Sequence, residues 1–135
     1  MMGVNMLAVL VCAVISMVIG SVWYGPLFGK KWMKLVSFTK EEMEKNKKEM
    51  PKTYSMMFVG SIVTSFVLAV VIGMAPEPSA AAGVTGAFWL WLGFIVAPKL
   101  SEVLFEKKAW MLFYIECGYY LAFLAVAGVI LGSWR

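Results

Sequence analysis

Four apolar runs, at about residues 4–28, 54–75, 81–105 and 109–132, take up most of this chain. Each is close to the roughly 20 residues that a helix needs to cross the hydrocarbon core of a bilayer. No water reaches backbone N–H and C=O groups at that depth, so each run must satisfy its own hydrogen bonds as a helix. The pattern restricts the chain to an all-α integral membrane fold, a four-helix bundle forming one domain over residues 1–135. Composition excludes the soluble alternative. At 61% hydrophobic residues and a mean hydropathy of +0.81, a chain of this size could not hide its apolar surface from water.

Charge sets the expected threading. Of the 12 basic side chains, all but Arg135 fall in two patches. Lys30, Lys31, Lys34, Lys40, Lys45, Lys47, Lys48 and Lys52 form the first, and Lys99, Lys107 and Lys108 the second. Cytoplasmic loops collect Lys and Arg, so both patches are expected in the cytoplasm. Both termini and the 76–79 turn then lie outside, in a multi-pass protein of the cell (inner) membrane. The net charge of +4 follows the ends of the apolar runs, which suits lipid headgroups and not nucleic acid.

The first run lacks a basic leader and a small-residue cleavage site, so it is expected to stay as a helix and not to be cleaved as a signal peptide. Along it, Ala8, Cys12, Ser16 and Gly20 recur every four residues. The second run repeats the device at Ser61, Ser65, Ala69 and Gly73, and the fourth ends with Gly128 and Gly132. Close backbone approach drives much of helix association in lipid, and the first two strips are expected to pack on each other. Cys12 and Cys117 have no metal-ligand or disulfide spacing and read as small packing residues.

Residues 30–50 are the one long polar stretch. Thr39 and Glu42 have capping-box spacing, Glu41–Lys45 and Glu44–Lys48 are favourable pairs, and Pro51 stops this helix or opens the next. A short helix on the cytoplasmic surface is expected, with Met43 and Met50 on one side. Pro98 should kink the third run. The fourth contains Glu116, and Trp134 with Arg135 makes an interfacial anchor. Residues equidistant from the tight turn at 106–108 share a depth, which places Lys99 level with Glu116, on the order of 10 Å inside the boundary at 1.5 Å per residue. An unpaired charge at that depth would cost a few kcal/mol, so an ion pair is expected there.

An internal repeat is visible. Leu27-Phe28-Gly29-Lys30-Lys31-Trp32-Met33 parallels Leu104-Phe105-Glu106-Lys107-Lys108-Ala109-Trp110-Met111 with one insertion. It suggests two helical hairpins of like orientation. The stretch Trp23-Tyr24-Gly25-Pro26-Leu27-Phe28-Gly29-Lys30-x-Trp32 also resembles the signature of the membrane protein family catalogued as domain of unknown function 1761. Asn5, Trp91-x-Gly93-Phe94, Leu104-Phe105-Glu106, Gly118-Tyr119 and Trp134 echo the same family. The resemblance covers nearly the whole chain and implies a four-helix membrane protein with no established activity.

Chemistry is limited by what the chain lacks. It has no histidine and no aspartate, which removes the commonest metal ligand, the commonest general base and any DxD pair. No P-loop or dinucleotide fingerprint occurs. No metal, cofactor or catalytic residue is therefore expected. The charged groups near the membrane interior are Lys99, Glu102 and Glu116, with Tyr119 and Tyr120 one turn from Glu116. Intramembrane charge marks functional sites by default. The leading reading is a homo-oligomeric, non-enzymatic, transporter- or channel-like protein handling a small solute, ion or proton. An assembly or regulatory subunit of a larger membrane complex is the alternative, and a membrane enzyme using a partner's cofactor is more distant.

Overall fold

In the computed structural model, residues 4–36 and 40–134 are described, without the side chains of Val36 and Met43. Six α-helices and two π-helical turns follow one another, with no strand among the described residues. They are α1 (Met6–Val22), α2 (Gly29–Val36), α3 (Lys40–Gly73), α4 (Ala80–Trp91), α5 (Ala97–Leu104) and α6 (Trp110–Ser133). The π turns Trp23–Leu27 and Leu92–Val96 continue α1 and join α4 to α5. The described residues thus hold four helices long and apolar enough to cross a membrane: Met6–Leu27, Lys40–Gly73, Ala80–Leu104 and Trp110–Ser133.

Local chemistry explains the ends and the breaks. Asn5 caps α1 by accepting from the Ala8 amide at 3.1 Å, and its Nδ2 donates to the Trp134 carbonyl at 3.4 Å. The start of the first span is thereby tied to the end of the fourth. Ser79 caps α4 in the same way, accepting from Ala82 at 3.1 Å. Each π turn accompanies a proline. Pro26 lies inside the first, and Pro98 follows the second as an early residue of α5. Proline lacks an N–H and clashes with the carbonyl four residues earlier, and the wider π winding makes room for it. The expected kink in the third span thus becomes a π turn just before Pro98.

The charged segment departs from expectation. Its first part is α2, but residues 40–50 do not form a separate surface helix. They begin the 34-residue α3, which runs through Pro51 without a break. Every described side chain at 40–50 is exposed, and a carbonyl that loses its N–H partner to a proline costs little where solvent can replace it. Neither Glu41–Lys45 nor Glu44–Lys48 closes to an ion pair among the described residues. Thr39, the Met43 side chain and Arg135 lie outside the described residues.

Helix α6 is the hub, touching α1, α3 and α4. Its closest neighbour is α4, where backbones meet at three glycines. A Cβ added at Gly83 would strike the Gly128 carbonyl, one at Gly128 the Gly83 carbonyl, and one at Gly132 the Ser79 carbonyl. Helices α1 and α3 meet along the two small-residue strips. Ala8, Cys12 and Ser16 are fully buried, as are Ser65 and, within a few per cent, Ser61 and Ala69. The Ser16 and Ser61 hydroxyls hydrogen-bond at 2.8 Å. The strips end sooner than their spacing suggests: Gly20 rests against the Tyr119 ring, and Gly73 is exposed at its helix end. Phe123, Leu68, Leu131 and Val9 fill the core between the strips and α6.

The two Leu-Phe-x-Lys-Lys segments part company after their phenylalanines. Phe28 and Phe105 each end a span in a turn, but Gly29 at once starts α2, whereas 106–109 stay non-helical until Trp110. Lys107 takes a left-handed backbone conformation there, with φ 59°.

Candidate functional site

Lys99 and Glu116 come together as the hairpin register requires. Nζ lies 2.9 Å from Oε2, with 23% and 21% of the two side chains exposed. The ammonium also sits 5.8 Å from the Tyr120 ring centroid, within cation–π range. Glu102 stands three residues further along α5. It pairs loosely with Lys108 at 3.7 Å near the turn, where Lys108 also meets Glu106 at 3.8 Å.

Two indoles hold α6 on either side of Glu116. Trp23 Nε1 donates to the Ile115 carbonyl at 2.9 Å, and Trp91 Nε1 donates to the Cys117 carbonyl at 2.8 Å. The first comes from the π turn of span one and the second from the end of α4. Both carbonyls belong to the residues flanking the carboxylate. Trp23 also packs close enough on Gly118 that a Cβ there would come within 2.9 Å of the indole. Glycine at 118 is thus the seat of the first tryptophan.

The rest of the Trp23–Trp32 motif shapes the wall beside this clamp. Tyr24 packs against Trp32 and Tyr119 at centroid distances of 5.6 and 5.5 Å. Gly29 is needed for closeness, because a Cβ would sit 2.6 Å from the Tyr24 carbonyl. Phe28 leans on Trp23 at 5.2 Å. Gly25 and Pro26 are exposed, as is Lys30, at the lysine-bearing end, and so are Leu104, Phe105 and Glu106 at the turn.

Between these groups lies a cavity of about 490 Å³, bounded by α1, the first π turn, α2, α3 and α6. Glu116 lines it, with Tyr24, Trp32, Tyr54, Tyr119 and Tyr120. Ser16 closes one end, where the Tyr119 hydroxyl donates to its carbonyl at 3.1 Å. The volume falls within the ordinary range of ligand pockets. Among the described residues no three His, Cys, Asp or Glu side chains gather as a metal-ligand group. Both cysteines are buried and free.

Sequence reasoning names Lys99, Glu102, Glu116, Tyr119 and Tyr120 as a group; Lys99 meets Glu116 and Tyr120, Tyr119 packs on Tyr120, and Glu102 pairs with Lys108 instead. It passes over Gly83, although Ser79, Gly83 and Ala87 carry the four-residue spacing seen in the other strips. It gives no role to Trp23, Trp91 or Gly118 beyond their family pattern, and no periodicity points to Tyr54.

The model of the family described as protein of unknown function DUF1761 matches residues 7–132. This chain belongs to that family. Neither the curated proteins nor the solved structures yield a match. The Trp23–Trp32 stretch takes its meaning here from geometry: Trp23 anchors α6 beside Glu116, and Tyr24 lines the cavity.

Proposed function

We propose that this DUF1761 protein is a non-enzymatic, homo-oligomeric protein of the cell (inner) membrane, passing or exchanging a small solute, ion or proton at Glu116. The lysine-bearing ends lie in the cytoplasm, with both termini and the 76–79 turn outside. The observation that carries the reading is the cavity of about 490 Å³ that reaches Glu116. A carboxylate inside a membrane is costly and is retained where it works. This one is both paired and accessible from a space large enough for a ligand. The π turns beside the site agree with their frequent placement at functional sites. The shared Leu-Phe-x-Lys-Lys segments support two hairpins related by a pseudo-two-fold axis along the membrane normal. Oligomerisation would cover the third span, whose apolar window is 11% buried against 50% for the fourth.

Purified protein in liposomes tests this. Flux of protons, ions or small solutes should rise over empty vesicles and fall in Glu116→Gln. A second reading, a non-catalytic assembly or regulatory subunit, draws on the exposed start of α3, which extends about 20 Å ahead of residue 54 at 1.5 Å per residue and offers a docking arm. Tight liposomes, with Glu116→Gln lowering only thermal stability, would replace the first reading with the second.

A further inference from the structure

Glu116 and Tyr120 already bind one ammonium group, that of Lys99. The carboxylate lies 2.9 Å from Nζ and the ring centroid 5.8 Å. Glu116 also lines the cavity, where it is the sole formally charged side chain among the lining residues. The rings of Tyr24, Trp32, Tyr54 and Tyr119 line it too, beside uncharged small and methionine side chains such as Ser21, Thr53 and Met57. Ring faces attract cations most when water is scarce, and an apolar pocket with one carboxylate excludes anions by the same logic. Lys99 has somewhere else to go, because Glu102 stands three residues on along α5 and is held by Lys108 only at 3.7 Å.

We infer that the cavity beside Glu116 is a binding site for an amphipathic organic monocation, whose cationic nitrogen takes the place of the Lys99 ammonium on Glu116. The aryl or alkyl body lies among Tyr24, Trp32 and Tyr54, and Lys99 turns to Glu102. This assignment rests on the reading of Glu116 as the working site and specifies its ligand class. Lys99 is then a tethered competitor. Removing its charge should help the ligand, whereas a merely structural ion pair predicts no gain.

The probe is benzyltrimethylammonium, compared with its uncharged carbon isostere neopentylbenzene, by equilibrium dialysis against protein in zwitterionic nanodiscs with empty discs subtracted. The wild-type chain should prefer the cation at least about tenfold, the scale of one cation–π contact added to a partly screened charge pair. Glu116→Gln should abolish that preference, and Lys99→Met should tighten cation binding several-fold. Tyr54→Ala, at a half-exposed residue outside the ion pair, serves if either charge variant fails to fold. It should weaken the cation several-fold at unchanged melting temperature. Equal binding of the two compounds, binding of neither, or cation binding that is unchanged or weaker in a folded Lys99→Met overturns the assignment. None of these touches the transport reading, which stands or falls on Glu116-dependent flux.

Discussion

Removing Lys99 alone should cost more stability than removing both members of the Lys99–Glu116 pair. The pair is close, at 2.9 Å, and less than a quarter of each side chain is exposed. Lys99→Met leaves a carboxylate without its counter-ion roughly 10 Å inside the boundary. Insertion scales put a lone charge at a helix centre at about 2.5–3.5 kcal/mol, and the shallower depth with residual exposure lowers this to about 2 kcal/mol. Glu116→Gln leaves a lysine, whose long stem can carry its ammonium toward the interface. Its cost should be nearer 1 kcal/mol. The double variant buries no unpaired charge and should lose about 1 kcal/mol, giving a coupling of about 2 kcal/mol, within the range for residues in contact. Reversible unfolding in mixed micelles, followed by helical circular dichroism, measures all four corners of the cycle. Additivity to within about 0.5 kcal/mol would show that the two charges do not stabilise each other.

Gly128→Leu drives a side chain into the Gly83 carbonyl and should cost at least about 3 kcal/mol in the same unfolding assay; a loss under 1 kcal/mol would mean that α4 and α6 do not cross there. Ser65 Oγ is fully buried with no hydrogen-bond partner, so Ser65→Ala should hold or gain stability, by up to about 1 kcal/mol, and a clear loss would show that the hydroxyl is bonded. Trp23→Phe keeps the apolar body but deletes the bond to the Ile115 carbonyl, and should cost about 1 kcal/mol. For topology, a thiol placed by Ser79→Cys should react with an impermeant reagent only from outside and one placed by Lys45→Cys only from the cytoplasm; the reverse pattern inverts the threading.

What could be read from the sequence divides by physical cause. The spans follow from hydropathy, because a bilayer imposes length and composition on each run independently of its neighbours. The Lys99–Glu116 meeting was legible because a tight hairpin fixes depth, and depth was the only coordinate required. Rotation about the helix axis is another matter. It decides that Trp23 and Trp91 point at the carbonyls beside Glu116, and no spacing in either span encodes it. Helix α3 shows a third kind of limit. Whether Pro51 ends a helix depends on whether a freed carbonyl meets water, which is a property of the surroundings and not of the dipeptide. Gly83 differs from both, since its four-residue spacing with Ser79 and Ala87 was open to view.

These constraints assign different mechanical roles to the two hairpins. Helix α6 is locked at one half by backbone contact with α4 at Gly83, Gly128 and Ser79, and at the other by indoles from two spans. Close backbone contact and charge-free donor–carbonyl bonds resist sliding in lipid, where no solvent competes for the groups. Glu116 is thus carried by a fixed element. The opposite wall of the cavity is built from Tyr24 of the first π turn, α2 and the start of the apolar part of α3, and Tyr24 meets α6 through the Tyr119 ring. Among the described residues, the Ser16–Ser61 bond ties α1 directly to α3 beside that wall. A ligand reaching Glu116 therefore needs to move rings and the α2 segment, not the helix that bears the charge. Accordingly, Ser61→Ala should loosen access to the cavity while leaving the Lys99–Glu116 coupling intact, measured as faster dialysis exchange of benzyltrimethylammonium alongside an unchanged double-mutant cycle. A change in the cycle would show that the two halves of the molecule are not mechanically separate.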